Sequence, residues 1–148
     1  MTPVVVHVGL GSNVGDRDAH LRAAVAALGA TRGIGGGGLS SVREGALVGD
    51  GPPQGPFLNA VVELRTTLAP AALLGVCLAI EQARGRERPA PKNSPRPLDL
   101  DILAYGSARI DRRDLVVPHR EWANREFVTA PLAELGVDTG AWPQLERP

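Results

Sequence analysis

The chain has 148 residues, with 16 basic and 16 acidic side chains and therefore a formal net charge of zero. This length predicts a single domain, residues 1–148, that can bury a core of its own. A neutral chain with 3% aromatic residues lacks the basic surface and the aromatic side chains typical of nucleic-acid-binding modules. No apolar run approaches the length of a membrane span, and Met1-Thr2-Pro3 does not begin a signal peptide. We therefore expect a cytoplasmic protein, without nucleic-acid or membrane partners.

The first part of the chain predicts two strands separated by a helix. Residues 4–10 form an apolar, β-rich run that indicates a central strand, and residues 11–16 indicate a turn and a helix start. Apolar residues then follow helical spacing, and Gly29 fits the helix end. After a flexible glycine-rich loop at residues 33–38, residues 39–48 predict the second strand.

The middle of the chain predicts a third strand and a second helix. A Pro/Gly-rich loop at residues 49–56, long enough to be functional, precedes a third strand at residues 57–66. Pro70 suits the first turn of a second helix, which ends near Gly85. Cys77 lies in the apolar stripe of this helix and is the only cysteine, so we expect a buried core residue and no intramolecular disulfide.

A fourth strand at residues 96–105 completes the predicted sheet. It is followed by an extended piece at residues 116–119 and a short helix near residues 127–135. The order is βαββαβ with a C-terminal extension. An antiparallel sheet of four strands with two helices on one face is the ferredoxin-like α+β solution for this order, and we predict that fold.

The fourth strand contains two carboxylates that a strand would place side by side. Side chains alternate between the faces of a strand, so Asp99 and Asp101 share one face while Leu100 and Ile102 point to the other. Two such carboxylates repel each other unless a cation lies between them. Hard oxygen ligands of this kind suit Mg²⁺, which completes its shell with water and substrate phosphates. The pattern predicts a magnesium site, with a solvated acidic face as the alternative.

A cluster of cationic residues precedes the acidic strand. Its members are Arg84, Arg86, Arg88, Lys92 and Arg96. Guanidinium groups form bidentate hydrogen bonds with phosphate oxygens, so the cluster predicts a polyphosphate ligand, with a plain surface cluster of charge as the alternative. An arginine-rich loop followed by a metal-holding strand is typical of phosphoryl-type transfer from a nucleotide.

Phe57 and Phe127 are the only phenylalanines of the chain. They suit either an ordinary core or the two faces of a flat heterocycle, because aromatic rings stack favourably. Asn59 shares a strand face with Phe57, and its amide can pair with the donors and acceptors of a heterocycle. His119 lies in a predicted loop, where it either meets solvent or donates a hydrogen bond to a phosphate oxygen.

A glycine-rich stretch near the N-terminus, Gly9-Leu10-Gly11-Ser12-Asn13-Val14-Gly15, has some features of a nucleotide-binding loop. It lacks the Lys-Ser/Thr pair of a P-loop, and its glycine spacing differs from the dinucleotide fingerprint by one residue. We therefore interpret it as a tight turn with an Asn/Asp helix cap.

Seven short stretches occur in the order and spacing of one known family, between about residues 4 and 135. They are Gly11-Ser12-Asn13-Val14-Gly15-Asp16, Phe57-Leu58-Asn59-Ala60, Leu68-Ala69-Pro70, Gly85-Arg86-Glu87-Arg88, Pro95-Arg96-Pro97-Leu98-Asp99-Leu100-Asp101-Ile102, Val117-Pro118-His119 and Asn124-Arg125-Glu126-Phe127. With them the chain resembles the 6-hydroxymethyl-7,8-dihydropterin pyrophosphokinase family of folate biosynthesis. One such stretch would be a weak signal, but seven in register are specific. That family has the ferredoxin-like α+β fold.

The resemblance implies transfer of the β,γ-diphosphate of ATP to the hydroxymethyl oxygen of the pterin, with release of AMP. Asp99 and Asp101 would hold two magnesium ions, and Arg86 and Arg96 would stabilise charge on the transferring phosphates. The implied ATP-binding residues are Arg88, Arg96, Ile102, Val116, His119 and Arg125. The implied pterin-binding residues are Gly45, Ala46, Val48, Phe57, Asn59 and Phe127.

The chain departs from the family pattern in several places, among them Arg120 in place of a common aromatic, a short C-terminus and two segments. Residues 93–97 read Asn-Ser-Pro-Arg-Pro where the family often has Trp-Gly-Pro-Arg-Thr, and residues 43–46 replace a usual aromatic-x-Thr-x-Pro segment. Because the implied metal ligands and arginines are retained, an active enzyme is favoured over the alternative, a diverged, non-catalytic pterin- or nucleotide-binding homologue. We expect a monomer that acts on small molecules.

Overall fold

A five-stranded antiparallel sheet is the centre of the computed structural model, which describes residues 2–45, 55–86 and 96–143. Its strands are β1 (Val4–Ser12), β2 (Ile34–Gly35), β3 (Arg43–Gly45), β4 (Phe57–Thr66) and β5 (Asp99–Tyr105). The order across the sheet is β2–β4–β1–β5, and β3 also pairs with β4. A separate hairpin joins β6 (Ile110–Asp111) to β7 (Val116–Val117).

Strand β1 lies in the middle of the sheet and pairs with β4 over its whole length, from Val4 opposite Thr66 to Ser12 opposite Leu58. Its valines and leucine at alternate positions point to one face of the sheet, where they are buried. His7, like the glycines at positions 9 and 11, points to the other face, as the period of two requires. The strand extends two residues beyond the predicted end at residue 10.

Two helices cover the apolar face of the sheet, as the sequence predicts. They are α1 (Arg17–Ala30) and α2 (Pro70–Ala83). The Asp16 side chain accepts a hydrogen bond of 3.1 Å from Ala19 N and so caps α1. Cys77 is fully buried in this core, and burial raises the pKa of its thiol to about 12. The predicted structural role of Cys77 is confirmed.

A third helix, α3 (Glu126–Glu134), packs on the opposite face of the sheet. Val128 and Leu132 of this helix form a second core with Val61 of β4 and Leu103 of β5. Single turns of 3-10 helix at Trp122–Asn124 and Thr139–Ala141 flank it in the sequence. The predicted C-terminal helix is confirmed, and it closes the face that α1 and α2 leave open. The architecture is therefore α+β, as predicted.

A β-bulge at Leu103 gives the two faces of β5 different characters. Val8 pairs with Ile102, but the next pair joins His7 to Ala104, so Leu103 is an extra residue on β5. Ile102 points to the core under α1 and α2, whereas Leu103 and Ala104 join the core under α3. The alternation N-terminal to the bulge agrees with the sequence-based prediction.

The glycine-rich residues 33–38 form a sheet edge, which corrects the prediction of a flexible loop. Strand β2 pairs with the end of β4, and the Gly38 carbonyl accepts a hydrogen bond of 2.8 Å from Glu63 N. Glycine permits this arrangement because no side chain separates the two main chains.

The strand predicted at residues 39–48 is also corrected. In residues 39–45, Leu39 forms an isolated bridge with Val62, and the only regular strand is β3. Between them, the Ser40 hydroxyl accepts the hydrogen bond of Val61 N at 2.9 Å, so a side chain replaces a main-chain partner in the ladder. Residues 46–48 lie outside the described residues.

No helix in residues 2–45, 55–86 or 96–143 is both long enough and apolar enough to cross a membrane.

The close approach of the glycine edge to β4 can be tested at Gly37. A Cβ atom there would overlap the carbonyl group of Glu63, whereas a Cβ at Gly36 would meet nothing within 4 Å. We expect Gly37→Ala to lower the free energy of unfolding by about 1–3 kcal/mol, because the edge must move away from β4. Gly36→Ala, the matched control, should change it by less than about 0.5 kcal/mol. Urea denaturation measures both, and equal values for the two variants would contradict the close approach.

Candidate active site

The two aspartates of β5 point away from the helix-covered core, as their spacing predicts. Asp99 lies opposite Gly11 and Asp101 opposite Gly9 on β1. Leu100, between them, is buried in the core under α1 and α2. The two carboxylates therefore stand on the same face of the sheet, side by side with glycines.

Gly9 and Gly11 have no side chains and leave open space next to the carboxylates; we refer to these two residues as the glycine floor. Gly11 pairs with Asp99 on one side and with Asn59 of β4 on the other. A Cβ atom at Gly11 would stand 3.2 Å from Asn59 Oδ1 and 3.4 Å from a ring carbon of Phe57. A side chain at this position would therefore fill the space between the acidic strand and the Asn59 amide. The glycine-rich stretch, interpreted from sequence as a turn, in fact supplies this floor.

A cavity of about 600 Å³ lies over the glycine floor. This volume is in the range of small-molecule sites. Nine side chains that the sequence analysis selected line it: Phe57, Asn59, Arg86, Arg96, Asp99, Asp101, His119, Arg125 and Phe127. The fold thus brings together residues from β4, α3, β5 and the segments next to β5.

Arg86 is held at the cavity wall by two carboxylates. Its Nη1 donates hydrogen bonds of 2.8 Å to Glu81 Oε2 and to Asp99 Oδ1. Glu81 is only 2% exposed, and the same oxygen accepts a hydrogen bond of 2.7 Å from Leu100 N. A buried carboxylate with two such donors is a rigid support. Glu81 therefore fixes the direction of the Arg86 guanidinium and ties α2 to β5.

Asp101 is the most strongly perturbed acid of the site. Burial raises its pKa, and the carboxylates of Asp99 and Glu81 add to the effect, giving a value of about 8. The guanidinium groups of Arg125 and Arg96 act in the opposite direction but do not cancel it. A buried, negatively charged neighbourhood of this kind favours a bound cation, whose charge would stabilise the ionised carboxylate.

Arg96 lies at the opposite side of Asp99 from Arg86. Its Nη1 is 3.5 Å from Asp99 Oδ2, and its guanidinium carbon lies 5.6 Å from the centroid of the Phe57 ring. The main chain of Arg96 is held by Asn13, whose Oδ1 accepts a hydrogen bond of 2.8 Å from Arg96 N. Asn13 Nδ2 also donates to the Gly55 carbonyl at 3.4 Å. Asn13 therefore links the segments that lead into Arg96 and Phe57.

His119 and Arg125 come from the segment between β7 and α3. Glu121 N donates a hydrogen bond of 3.1 Å to His119 Nδ1, which assigns the proton of the neutral ring to Nε2. Burial lowers the pKa of His119 below its usual value, and the Arg125 guanidinium lowers it further. The ring is therefore neutral at pH 7 and available as an N–H donor. The guanidinium of Arg125 lies 5.7 Å from the centroid of the Phe127 ring.

The Asn59 amide is the clearest sign of a polar ligand at the other end of the cavity. Asn59 is 6% exposed, and its Nδ2 is buried with no hydrogen-bond partner among the described residues. An unsatisfied buried N–H group costs about 1–3 kcal/mol. A ligand that presents an acceptor edge would remove this cost. Phe57, two residues earlier on the same strand face, and Phe127 add aromatic walls to the same cavity.

Several predicted site residues lie apart from the cavity lining. Gly45 ends β3 opposite Phe57, and a Cβ there would stand 3.7 Å from Asn59 Nδ2. Ile102 has its side chain in the core, and Val116 belongs to strand β7. Ala46, Val48 and Arg88 lie outside the described residues.

Sequence analysis missed other residues of the cavity wall. Glu81, Leu74 and Leu78 reach it from α2, and Asp114 reaches it from the hairpin between β6 and β7. From the sequence, Leu74 and Leu78 are predicted to belong to the apolar core stripe of α2, and Glu81 has no predicted role; in the structure Leu78 is exposed. The signal that could have identified Glu81 is a lone acid at a position next to the apolar stripe, because a carboxylate is rarely buried without a partner.

The metal-binding capacity of the site is restricted to the aspartate pair. The part of the chain that the structure describes contains no group of three or more His, Cys, Asp or Glu side chains arranged for a metal ion. Asp99 and Asp101 provide hard oxygens on one face, and a carboxylate that accepts a hydrogen bond from arginine still has free lone pairs. This donor set fits Mg²⁺, which takes one or two carboxylates and relies on phosphate and water for the rest.

Three relatives of the chain carry the same activity in their names. The 2-amino-4-hydroxy-6-hydroxymethyldihydropteridine pyrophosphokinase of Methylorubrum extorquens is 46% identical over 132 residues, which cover 89% of this chain and 82% of that protein. The enzyme of the same name from Bacillus subtilis is 41% identical, and the match covers 88% of this chain and 77% of that protein. The one from Synechocystis is 42% identical, and the match covers 88% of this chain and 66% of that protein.

The sequence profile of one family, 7,8-dihydro-6-hydroxymethylpterin-pyrophosphokinase, matches residues 7–137. This range contains the glycine floor, the acidic pair and every other described residue of the cavity wall. Family members are pyrophosphokinases that use ATP as co-substrate, in agreement with the resemblance found in the sequence. The chain therefore belongs to the 7,8-dihydro-6-hydroxymethylpterin-pyrophosphokinase family.

Proposed function

We propose that this chain transfers diphosphate from ATP to the hydroxymethyl group of 6-hydroxymethyl-7,8-dihydropterin and releases AMP. Family membership supports the reaction. The observation that carries it in the structure is one cavity with phosphate chemistry at one end and an unsatisfied Asn59 amide at the other. A mere binding protein has no need of the acidic pair and the surrounding arginines, so no observation favours a non-catalytic homologue.

Asp99 and Asp101 are the proposed ligands of two Mg²⁺ ions. When bound there, the metal neutralises phosphate charge and lowers the pKa of the attacking hydroxyl. The negative neighbourhood of Asp101 and the two same-face carboxylates support this assignment. Asp99 also contacts both arginines, so it aligns the cationic side chains with the metal ligands.

Arg86 and Arg96 are the proposed catalytic cations. They approach Asp99 from two directions, and their guanidinium groups match the oxygens of a diphosphate. As the bond to AMP breaks, its electron pair passes to the AMP oxygen while the transferring group carries charge on its equatorial oxygens, and fixed cations stabilise that charge without reorganisation. The support that Glu81 gives Arg86 lowers the entropy lost when the phosphate binds.

The remaining nucleotide contacts are assigned to His119 and Arg125, with Arg88, Ile102 and Val116 as further contacts. The neutral His119 donates from Nε2, and Arg125 supplies positive charge. Because the Ile102 side chain is in the core, its contribution would come from its main chain. The fixed His119 tautomer supports hydrogen bonding to a phosphate oxygen over a wide pH range.

The pterin is assigned to the end of the cavity formed by Asn59, Phe57 and Phe127. The Asn59 amide would pair with the edge of the heterocycle, and the two rings would pack against its faces. Gly45, Ala46 and Val48 would add main-chain contacts. The position of Gly45 opposite Phe57 and close to Asn59 supports its part in this assignment.

A ferredoxin-like fold and a single domain spanning residues 1–148 are part of the proposal. With β2 and β3 taken as one interrupted edge strand, the sheet order β5–β1–β4–edge corresponds to the order 4-1-3-2 of that fold. Packing of α1 and α2 on one face supports it. We also propose a monomer in the cytoplasm that acts on small molecules, and its zero net charge supports small-molecule rather than nucleic-acid partners.

The reaction is tested by incubating the purified chain with ATP, Mg²⁺ and 6-hydroxymethyl-7,8-dihydropterin and measuring AMP. We expect AMP only when all three are present, because the hydroxymethyl oxygen is the acceptor. Omission of Mg²⁺ by chelation should abolish AMP formation, since the phosphate charge is then unbalanced. ADP as the product, or AMP formed without the pterin, would contradict the assignment.

The metal assignment predicts opposite effects of Asp101→Asn on stability and activity. With a pKa of about 8, the Asp101 carboxyl must take up a proton when the chain folds at pH 7, and the amide removes this cost, so the Tm without metal should rise by roughly 3–8 °C. Mg²⁺ with ATP should raise the Tm of the unmodified chain but not that of the variant, and AMP formation should be lost. Asp111→Asn, in an exposed ion pair with Arg120, is the control and should leave the Tm within about 2 °C. A similar Mg²⁺-dependent shift in Asp101→Asn would overturn the assignment.

The pterin assignment predicts a selective effect of Asn59→Asp. The substitution replaces the unsatisfied N–H donor with an acceptor, so the Kd for the pterin should rise at least about 30-fold, from loss of one buried hydrogen bond and a new repulsion. The Kd for ATP should change by less than about threefold. Gln82→Glu, at an exposed position of α2 outside the cavity lining, is the control for the change of an amide to a carboxylate. Calorimetric titration of the unmodified chain and both variants with each ligand measures the constants, and an equal loss of ATP and pterin binding would contradict the assignment.

A further inference from the structure

The two tryptophans of the chain lie in contact with each other, away from the glycine floor of the cavity. Trp142 is 9% exposed, and the centroids of its ring and that of Trp122 are 4.9 Å apart in an edge-on arrangement. On its other side, Trp142 lies 5.8 Å from the ring centroid of His7. We refer to Trp122, Trp142 and His7 as the aromatic stack.

The aromatic stack rests on the sheet. His7 points to the same face of β1 as Gly9, two residues away, and its Nε2 lies 3.0 Å from Glu63 Oε1 on the neighbouring strand. His7 and Glu63 are direct cross-strand partners, so this pair is fixed by the register of the sheet. Through His7 and Trp142, the sheet therefore fixes the position of Trp122.

Trp122 belongs to the segment that carries two residues of the cavity wall. This segment, residues 119–125, begins with His119 and ends with Arg125. Glu121 N and Asn124 N make hydrogen bonds of 3.1 Å within it, but its other main-chain hydrogen bonds are long, 3.3 Å from Trp122 N to the His119 carbonyl and 3.4 Å from Arg125 N to the Trp122 carbonyl. Bonds of this length hold a turn weakly.

Shorter hydrogen bonds hold only the outer main-chain groups of the two end residues, whereas their inner groups bond to Trp122. His119 N donates to the Leu103 carbonyl at 2.8 Å, and the Arg125 carbonyl accepts from Val128 N at 2.9 Å. Between these ends the ion pair of Arg120 with Asp111 is exposed and contributes little. The middle of the segment is thus positioned by the packing of Trp122 on Trp142, because edge-on aromatic contacts stabilise one geometry over others.

We propose that Trp142 is a positioning residue for nucleotide binding, which acts through Trp122 on His119 and Arg125. This inference rests on the proposed function, since it takes these two side chains as ATP contacts. Loss of the Trp142 ring would leave Trp122 without its buried partner and let the segment move. Asn59 at the pterin end is held by the register of β4 with β1, whereas Phe127 packs against the same core cluster as Trp142. The effect should therefore be larger for ATP than for the pterin.

The test compares Trp142→Ala with Trp142→Phe and with Leu64→Ala. Leu64 is buried in the core under α1 and α2, so its truncation destabilises the fold without touching the aromatic stack. We expect Trp142→Ala to raise the Kd and the KM for ATP about tenfold, with kcat and the Kd for the pterin changed less than about twofold. Trp142→Phe keeps a ring against Trp122 and should stay within about threefold of the unmodified chain.

The controls separate positioning from general destabilisation. Leu64→Ala should leave the Kd for ATP unchanged, and if Trp142→Ala does not fold, Trp142→Leu takes its place with the same expected loss. Equal changes in ATP and pterin binding, or an unchanged Kd for ATP in both the Ala and Leu variants, would overturn the proposal. The Kd for ATP is read by calorimetry without turnover. An unmodified chain that binds ATP but forms no AMP therefore contradicts the proposed function alone.

Discussion

Strand β1 lies between β4 and β5, and its register with both decides where the functional side chains stand. One cross-strand row joins Asp99, Gly11 and Asn59, so a carboxylate and an amide flank a residue without a side chain. Two strand spacings separate the outer members of this row by about 9–10 Å. That distance leaves room for a ligand over the glycine. A shift of one residue in either pairing would turn these side chains into the core.

The register also creates the electrostatic character of the site. Three carboxylates, those of Glu81, Asp99 and Asp101, converge from α2 and β5, and desolvation makes their mutual repulsion costly. Arg86 compensates two of them through a shared hydrogen-bond network. Burial is the main reason why the pKa of Asp101 is raised, and the carboxylates of Asp99 and Glu81 raise it further. This excess of negative charge around Asp101 favours the binding of a cation.

The segments around the cavity are tied to the sheet by a few polar contacts. Asn13 joins the main chains at Arg96 and Gly55, and Arg17 donates to the Pro56 carbonyl at 2.9 Å and to Glu44 at 3.0 Å. Both residues follow directly from the end of β1 and the start of α1. The turn between these elements therefore organises the cavity rim, a role that a glycine-rich turn in the sequence does not reveal. On the other side, the aromatic stack holds the segment with His119 and Arg125.

The sequence by itself determined the α+β class, the helices beginning at Arg17 and Pro70, strand β4 and the common face of Asp99 and Asp101. These features follow from periodicity and local chemistry, which act over a few residues. The family, and with it the set of candidate site residues, also followed from sequence, because motif order survives without knowledge of contacts.

Only the tertiary structure decided the rest. The glycine run at residues 33–38 became a sheet edge because a strand from elsewhere in the chain, β4, approaches it closely enough to pair. Glu81 entered the site because α2 packs across β5, and Trp142 reached His7 because the chain returns to the first strand after α3. Each of these contacts joins residues far apart in sequence. Their formation depends on how layers pack, and no local pattern records that.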